Sequence, residues 1–96
     1  MFTKNELPEG WQHLSAEEAR AIEAELEREV GKEHVLYQAK VKAIARRVDQ
    51  DDFLFLAESS EYRLYVVHLT WCQETNPALP HTTHYADKFD FIFNGS

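Results

Sequence analysis

Hydrophobic positions fall into groups along this chain, and their spacing changes from one group to the next. Ala19, Ile22, Leu26 and Val30 recur at intervals of three and four, which sets them on one stripe of an α-helix. Ser15 stands just ahead, with Glu18 three residues on. In that pairing each side chain accepts the other residue's free backbone N–H. Leu14 can touch Ala19 across the cap, and Gly31 suits the left-handed residue that closes many helices. The pattern predicts a helix over about 16–30, with Glu17, Glu23, Glu25, Glu27 and Glu29 on its outward side.

Residues 35–48 fit two periods. Val41, Ile44, Ala45 and Val48 match a helix, whereas Val41, Ala43 and Ala45 alternate as in a strand. Asp49-Gln50-Asp51-Asp52 is a turn signal and Phe53-Leu54-Phe55-Leu56 a short apolar run, so a hairpin 40–48/53–58 is favoured. After a second turn at Glu58-Ser59-Ser60-Glu61, the run 62–71 is rich in β-branched and aromatic residues. Tyr65, Val67, Leu69 and Trp71 share one face; Leu64, Val66, His68 and Thr70 share the other. Apolar residues on both faces mark a central strand with one face under the helix. Residues 72–86, with Pro77 and Pro80, read as a loop. Phe89, Phe91 and Phe93 alternate with Asp90 and Ile92, giving a last strand over about 88–93. The sum is an α+β fold: an N-terminal amphipathic helix (about 16–30) packed on an antiparallel sheet of three to four strands (about 40–48, 53–58, 62–71 and 88–93).

The length of 96 residues fits a single α+β domain, 1–96, with residues 1–14 an irregular lead-in punctuated by Pro8 and Gly10. Apolar residues at 44% suffice for a core and exclude wholesale disorder. No apolar run reaches the ~18 residues that span a bilayer. The first residues lack the apolar stretch of a signal peptide, and the single cysteine, Cys72, cannot form an internal disulfide. A cytoplasmic location is therefore expected. The formal charge of −7 repels free nucleic acid, gives no reason to meet a membrane, and attracts a basic protein. The same acidity also serves plain solubility.

Candidate chemistry is sparse. His68, Cys72, His81 and His84 are zinc-ligand types, but their spacing matches no finger pattern and there is no second cysteine. Cys72 and His68, four apart on an extended strand, lie about 13 Å from each other, too far for a thiolate–imidazole pair. The Asp49–Asp52 cluster lacks the glycine and distal glutamate of a calcium loop. Arg46-Arg47 is the only basic pair, able to meet a carboxylate or phosphate, and with three glycines the chain holds no phosphate loop. Among the aromatics, the core claims Phe91 and Trp71 first, while Trp11 and Tyr85 stand closer to an interface role. No cofactor is implied.

Gly10-Trp11, Ala43-Ile44-Ala45-Arg46-Arg47, Asp51-Asp52-Phe53-Leu54-Phe55, Val66-Val67-His68-Leu69-Thr70-Trp71 and Pro80-His81-Thr82-Thr83-His84-Tyr85 together resemble a family of small stand-alone bacterial proteins of unknown function. The resemblance covers most of residues 10–85, and His68-Leu69-Thr70-Trp71 is its most specific part. It implies a cytosolic bacterial protein and a sheet over 40–71, and brings no catalytic residues with it.

The expected function is a small acidic protein-binding domain rather than an enzyme. Its concrete form is an immunity or inhibitor protein that occludes a basic toxin or nuclease. The candidate contact residues are Glu23, Glu27, Trp11, Trp71, Tyr85, Arg46 and Arg47. The alternative is a small-molecule or metal-binding domain, or a weak hydrolase, built on His68, Cys72, His81 and His84. A third expectation is a homodimer in which the Phe89–Phe93 row pairs edge to edge.

Overall fold

Seven elements follow one another along the described residues of the computed structural model, which are 7–32, 34, 36–37, 39–57, 63–71 and 81–94. They are β1 (Trp11–His13), α1 (Ala16–Glu29), β2 (Val41–Arg47), β3 (Asp52–Ala57), β4 (Leu64–His68), β5 (His81–Tyr85) and α2 (Lys88–Asn94). The strands form one sheet in the order β1-β2-β3-β4-β5, with every neighbouring pair antiparallel. The α+β architecture holds, with five strands rather than three or four. The last residues of the expected irregular lead-in supply the short first strand.

The α1 cap forms as its sequence dictates. Glu18 N donates to Ser15 Oγ at 3.1 Å, and Ser15 N donates to Glu18 Oε1 at 3.1 Å. The other end differs from expectation. Val30 closes the helix in an extended conformation, its N–H reaching Leu26 O, and among the described glycines only Gly10 has a positive φ. Val30 is buried in the core, so the chain leaves the helix along the sheet and Gly31 makes no left-handed cap.

Each face of the sheet carries its own core. On one face α1 lays Ile22, Leu26 and Val30 over Ala43, Phe53, Phe55, Tyr65, Val67 and Leu69. On the other, Trp11, Ala45, Leu54 and Leu64 gather round Phe91 of α2. The split of β4 into a Tyr65/Val67 face, continued by Leu69 just beyond the strand, and a Leu64/Val66 face follows its alternation. β2 departs from alternation: Ala43 opposes Phe55 and Ala45 opposes Leu54, which leaves Ile44 as the extra residue of a bulge. The bulge sends Ala43 and Ala45 to opposite faces, so β2 contributes to both cores.

Two expectations fall at the C-terminal end. His81–Tyr85, read as loop, is β5. Residues 88–93, read as a strand, lie in the helix α2 (Lys88–Asn94), so the phenylalanine row offers no strand edge for pairing between chains. Helix-start chemistry decides this. Asp90 N donates to Asp87 Oδ1 at 2.9 Å, Ala86 N donates to Asp90 Oδ2 at 2.9 Å, and Phe91 N reaches Asp87 O at 3.1 Å. These bonds satisfy the free N–H groups of a first helical turn. The period of 3.6 then buries Phe91 completely and leaves Phe89 and Phe93, four apart, at 59% and 80% exposed.

Candidate functional site

Glu29 lies seven residues after Ile22 and three after Leu26, so it falls on the inward stripe of α1 and not on the outward side where the sequence reading put it. It is 0% exposed. A buried carboxylate needs hydrogen bonds, and Glu29 finds three. Thr70 N reaches its Oε1 at 2.8 Å, Thr70 Oγ1 reaches the same oxygen at 2.9 Å, and Trp71 N reaches Oε2 at 2.8 Å. Burial, then its hydrogen bond with Glu25, raise the Glu29 carboxyl above its ordinary value, against the pull of the Thr70 and Trp71 donors. Glu25 one turn back is lowered, first by that bond to Glu29 and then by Arg28. The Arg28 guanidinium holds Glu25 at 2.7, 2.9 and 3.1 Å and reaches Trp71 O at 3.5 Å.

This bracket fixes the end of β4. Trp71 sits at φ 61°, and it is the only non-glycine residue with positive φ among the described residues. A left-handed conformation costs an L-residue about 1–2 kcal/mol. The ring packs edge-on against Phe53, with centroids 6.1 Å apart, yet stays 47% exposed. The packing thus exchanges the two tryptophans relative to expectation. Trp11 is 8% exposed and packs edge-on against Phe91 at 5.4 Å, while Trp71 is displayed.

The remaining contact candidates scatter. Glu23 Oε2 accepts Ala43 N at 2.9 Å and so covers the edge of β2 that β1 leaves unpaired. Glu27 is exposed on the same flank of α1. Tyr85 packs against Phe91 at 5.4 Å, and burial, then the charges of Asp90 and Asp52, raise its hydroxyl. Arg46 lies on the α1 side, where its charge helps the Ser15 hydrogen bonds lower Glu18; its Nε is buried without a hydrogen-bond partner among the described residues. Arg47 Nε pairs with Asp49 at 2.9 Å.

The histidines do not converge. His81 stands opposite His68, and His84 stands opposite Tyr65, so the parity of β5 puts His81 and His84 on opposite faces of the sheet. His68 Nδ1 meets Asp52 Oδ1 at 2.8 Å on the α2 side. Cys72 lies outside the described residues. Among those described, no group of three or more His, Cys, Asp or Glu is placed to hold a metal ion. His34 is one of two histidines, with His13, that the sequence reading passed over. Its Nδ1 accepts Leu36 N at 3.0 Å, so the neutral ring carries its proton on Nε2, 3.1 Å from Thr82 Oγ1. It ties the segment after α1 to the edge strand β5, and nothing in its sequence neighbourhood announces that.

No family model, curated protein or solved structure matches this chain. No helix of the described residues is long and apolar enough to cross a membrane.

Proposed function

We propose that this chain is a non-enzymatic domain that docks on another protein, with Trp71 as its anchor. One observation carries the reading: a fully buried carboxylate, Glu29, holds an exposed tryptophan in a strained backbone conformation. Strained, over-determined residues gather at binding and switch sites. Tryptophan and arginine dominate the energetics of protein interfaces, and Arg28 lies against the Trp71 carbonyl. Holding the backbone in advance removes part of the ordering cost of association.

The net charge of −7 favours a basic partner and a fast encounter at low salt. An inhibitor or immunity protein that covers the basic groove of a toxin or nuclease fits this combination. Free nucleic acid and membrane surfaces do not. The acidity near the anchor is less than the sequence implied, because Glu29 is buried and Glu25 is bound to Arg28. Charge therefore steers the encounter, and the tryptophan carries the affinity.

The test is affinity capture from native lysate at low and moderate salt, with wild type and Trp71→Ala side by side. The reading expects a basic protein retained by the wild type and lost from the variant, while the unfolding free energies of the two chains agree to within about 1 kcal/mol. Equal retention by both, or none by either at low salt, removes it.

A further inference from the structure

The opposite flank of α1 faces a second feature, independent of Trp71. Between α1 and the segment that enters β2 runs a groove of about 650 Å³, within the ~300–1,000 Å³ of small-molecule sites. Its floor is apolar: Leu26, Val30 and Leu36, all members of the helix-side core. Its walls differ in sign. The helix wall carries Glu23 and Glu27, and the facing wall carries Lys40 and Lys42. Glu23 is engaged by Ala43 N, and Lys42 already has a partner. Among the described residues of the lining, Glu27 and Lys40 are the charges left to meet a ligand.

We propose that this groove binds a small zwitterion with an apolar body, a dipeptide of apolar residues being the chemistry it fits. An ion of one sign gains at one wall and is repelled at the other. A zwitterion satisfies both, its ammonium towards Glu27 and its carboxylate towards Lys40, while its side chains cover Leu26, Val30 and Leu36. The groove is open to water, so each charged contact is screened and contributes modestly. The expected Kd is about 0.1–1 mM for a ligand of this size.

The probe is L-leucyl-L-leucine, titrated into the ¹⁵N-labelled full chain and followed by amide chemical shifts. Saturable shifts centred on Leu26, Val30 and Leu36 are expected, and unchanged ones in Trp71→Ala. N-acetylated and C-amidated dipeptides should each bind about threefold to fivefold more weakly. Glu27→Lys and Lys40→Glu should each weaken binding by about fivefold or more, since each turns an attraction into a repulsion. The double variant Glu27→Lys/Lys40→Glu should recover to within about twofold of wild type, because the zwitterion can turn round. The absence of saturable shifts at the groove overturns the proposal. So does equal binding of the blocked dipeptides, which needs no variant to fold. Single reversals without effect, or a double variant no better than the singles, overturn it as well.

Discussion

Glu29 and Trp71 lie 42 residues apart in sequence, and the hydrogen bond between the carboxylate of one and the backbone N–H of the other is 2.8 Å long. It joins the last turn of α1 to the segment just beyond β4. Glu29→Ala leaves Thr70 N, Thr70 Oγ1 and Trp71 N without their acceptor at a buried site. Unsatisfied buried donors cost about 1–3 kcal/mol each, less where water enters. The expected loss is about 2–4 kcal/mol, read from urea unfolding. A loss below about 0.5 kcal/mol would mean that the bracket contributes nothing to stability.

The same carboxylate sets a pH dependence. Its folded pKa is raised above the ordinary 4.5, so the folded state holds the proton more tightly than the unfolded one. Its contribution is full below 4.5 and is lost as pH rises through the folded value. Glu25, held low by Glu29 and Arg28, acts in the opposite sense: its contribution is present above its ordinary value and lost as pH falls through the folded one. Glu29→Gln keeps a donor for Glu25 and removes the titration of Glu29. The stability of wild type minus that of the glutamine variant should therefore decline as pH rises from about 4.5 and then level off, as measured by urea midpoints between pH 4 and 8. A difference that grows with pH would show that the three hydrogen bonds outweigh burial.

Backbone strain at Trp71 can be separated from its ring. Trp71→Ala and Trp71→Gly both lose the edge contact with Phe53, but only glycine relaxes at φ 61°. Glycine is ordinarily the less stable of the two because its unfolded chain is freer. Here the order should invert, with the glycine variant more stable by about 0.5–1 kcal/mol. Thermal unfolding of the two variants under one condition checks it; the ordinary order would mean that the left-handed conformation is not held in solution.

Much of the architecture was readable from short-range signals. Ser15 and Glu18 announced the start of α1, the Asp49–Asp52 turn announced the β2–β3 hairpin, and the alternation from Leu64 to Leu69 assigned both faces of β4. The failures share a cause in competition between local patterns. Phe89, Phe91 and Phe93 alternate as a strand does, yet Asp87 and Asp90 three apart cap a helix, and the caps prevail because they satisfy backbone donors. The strand His81–Tyr85 carries no apolar alternation, since it is an edge held by Leu64–His68 beside it. The bulge at Ile44 is a matter of the register between β2 and β3 and leaves no mark in composition. At the site, Glu29 was readable in principle, because its spacing from Ile22 and Leu26 puts it inside. Its capture of Trp71 was not, because the partner lies 42 residues away.

The helical reading of residues 88–94 makes the sharpest stability prediction. Phe91 is fully buried and packs edge-on against Trp11 and Tyr85, each at 5.4 Å. Phe91→Ala should cost about 3–5 kcal/mol, the range for truncating a buried aromatic. Phe89 and Phe93 point to solvent from the other side of the same helix, so Phe89→Ser and Phe93→Ser should each change stability by no more than about 0.5 kcal/mol. In a strand the three rings would share one face and would cost alike. Urea unfolding of the three variants therefore discriminates between the two geometries: one large loss flanked by two small changes supports α2, and three comparable losses would restore the strand.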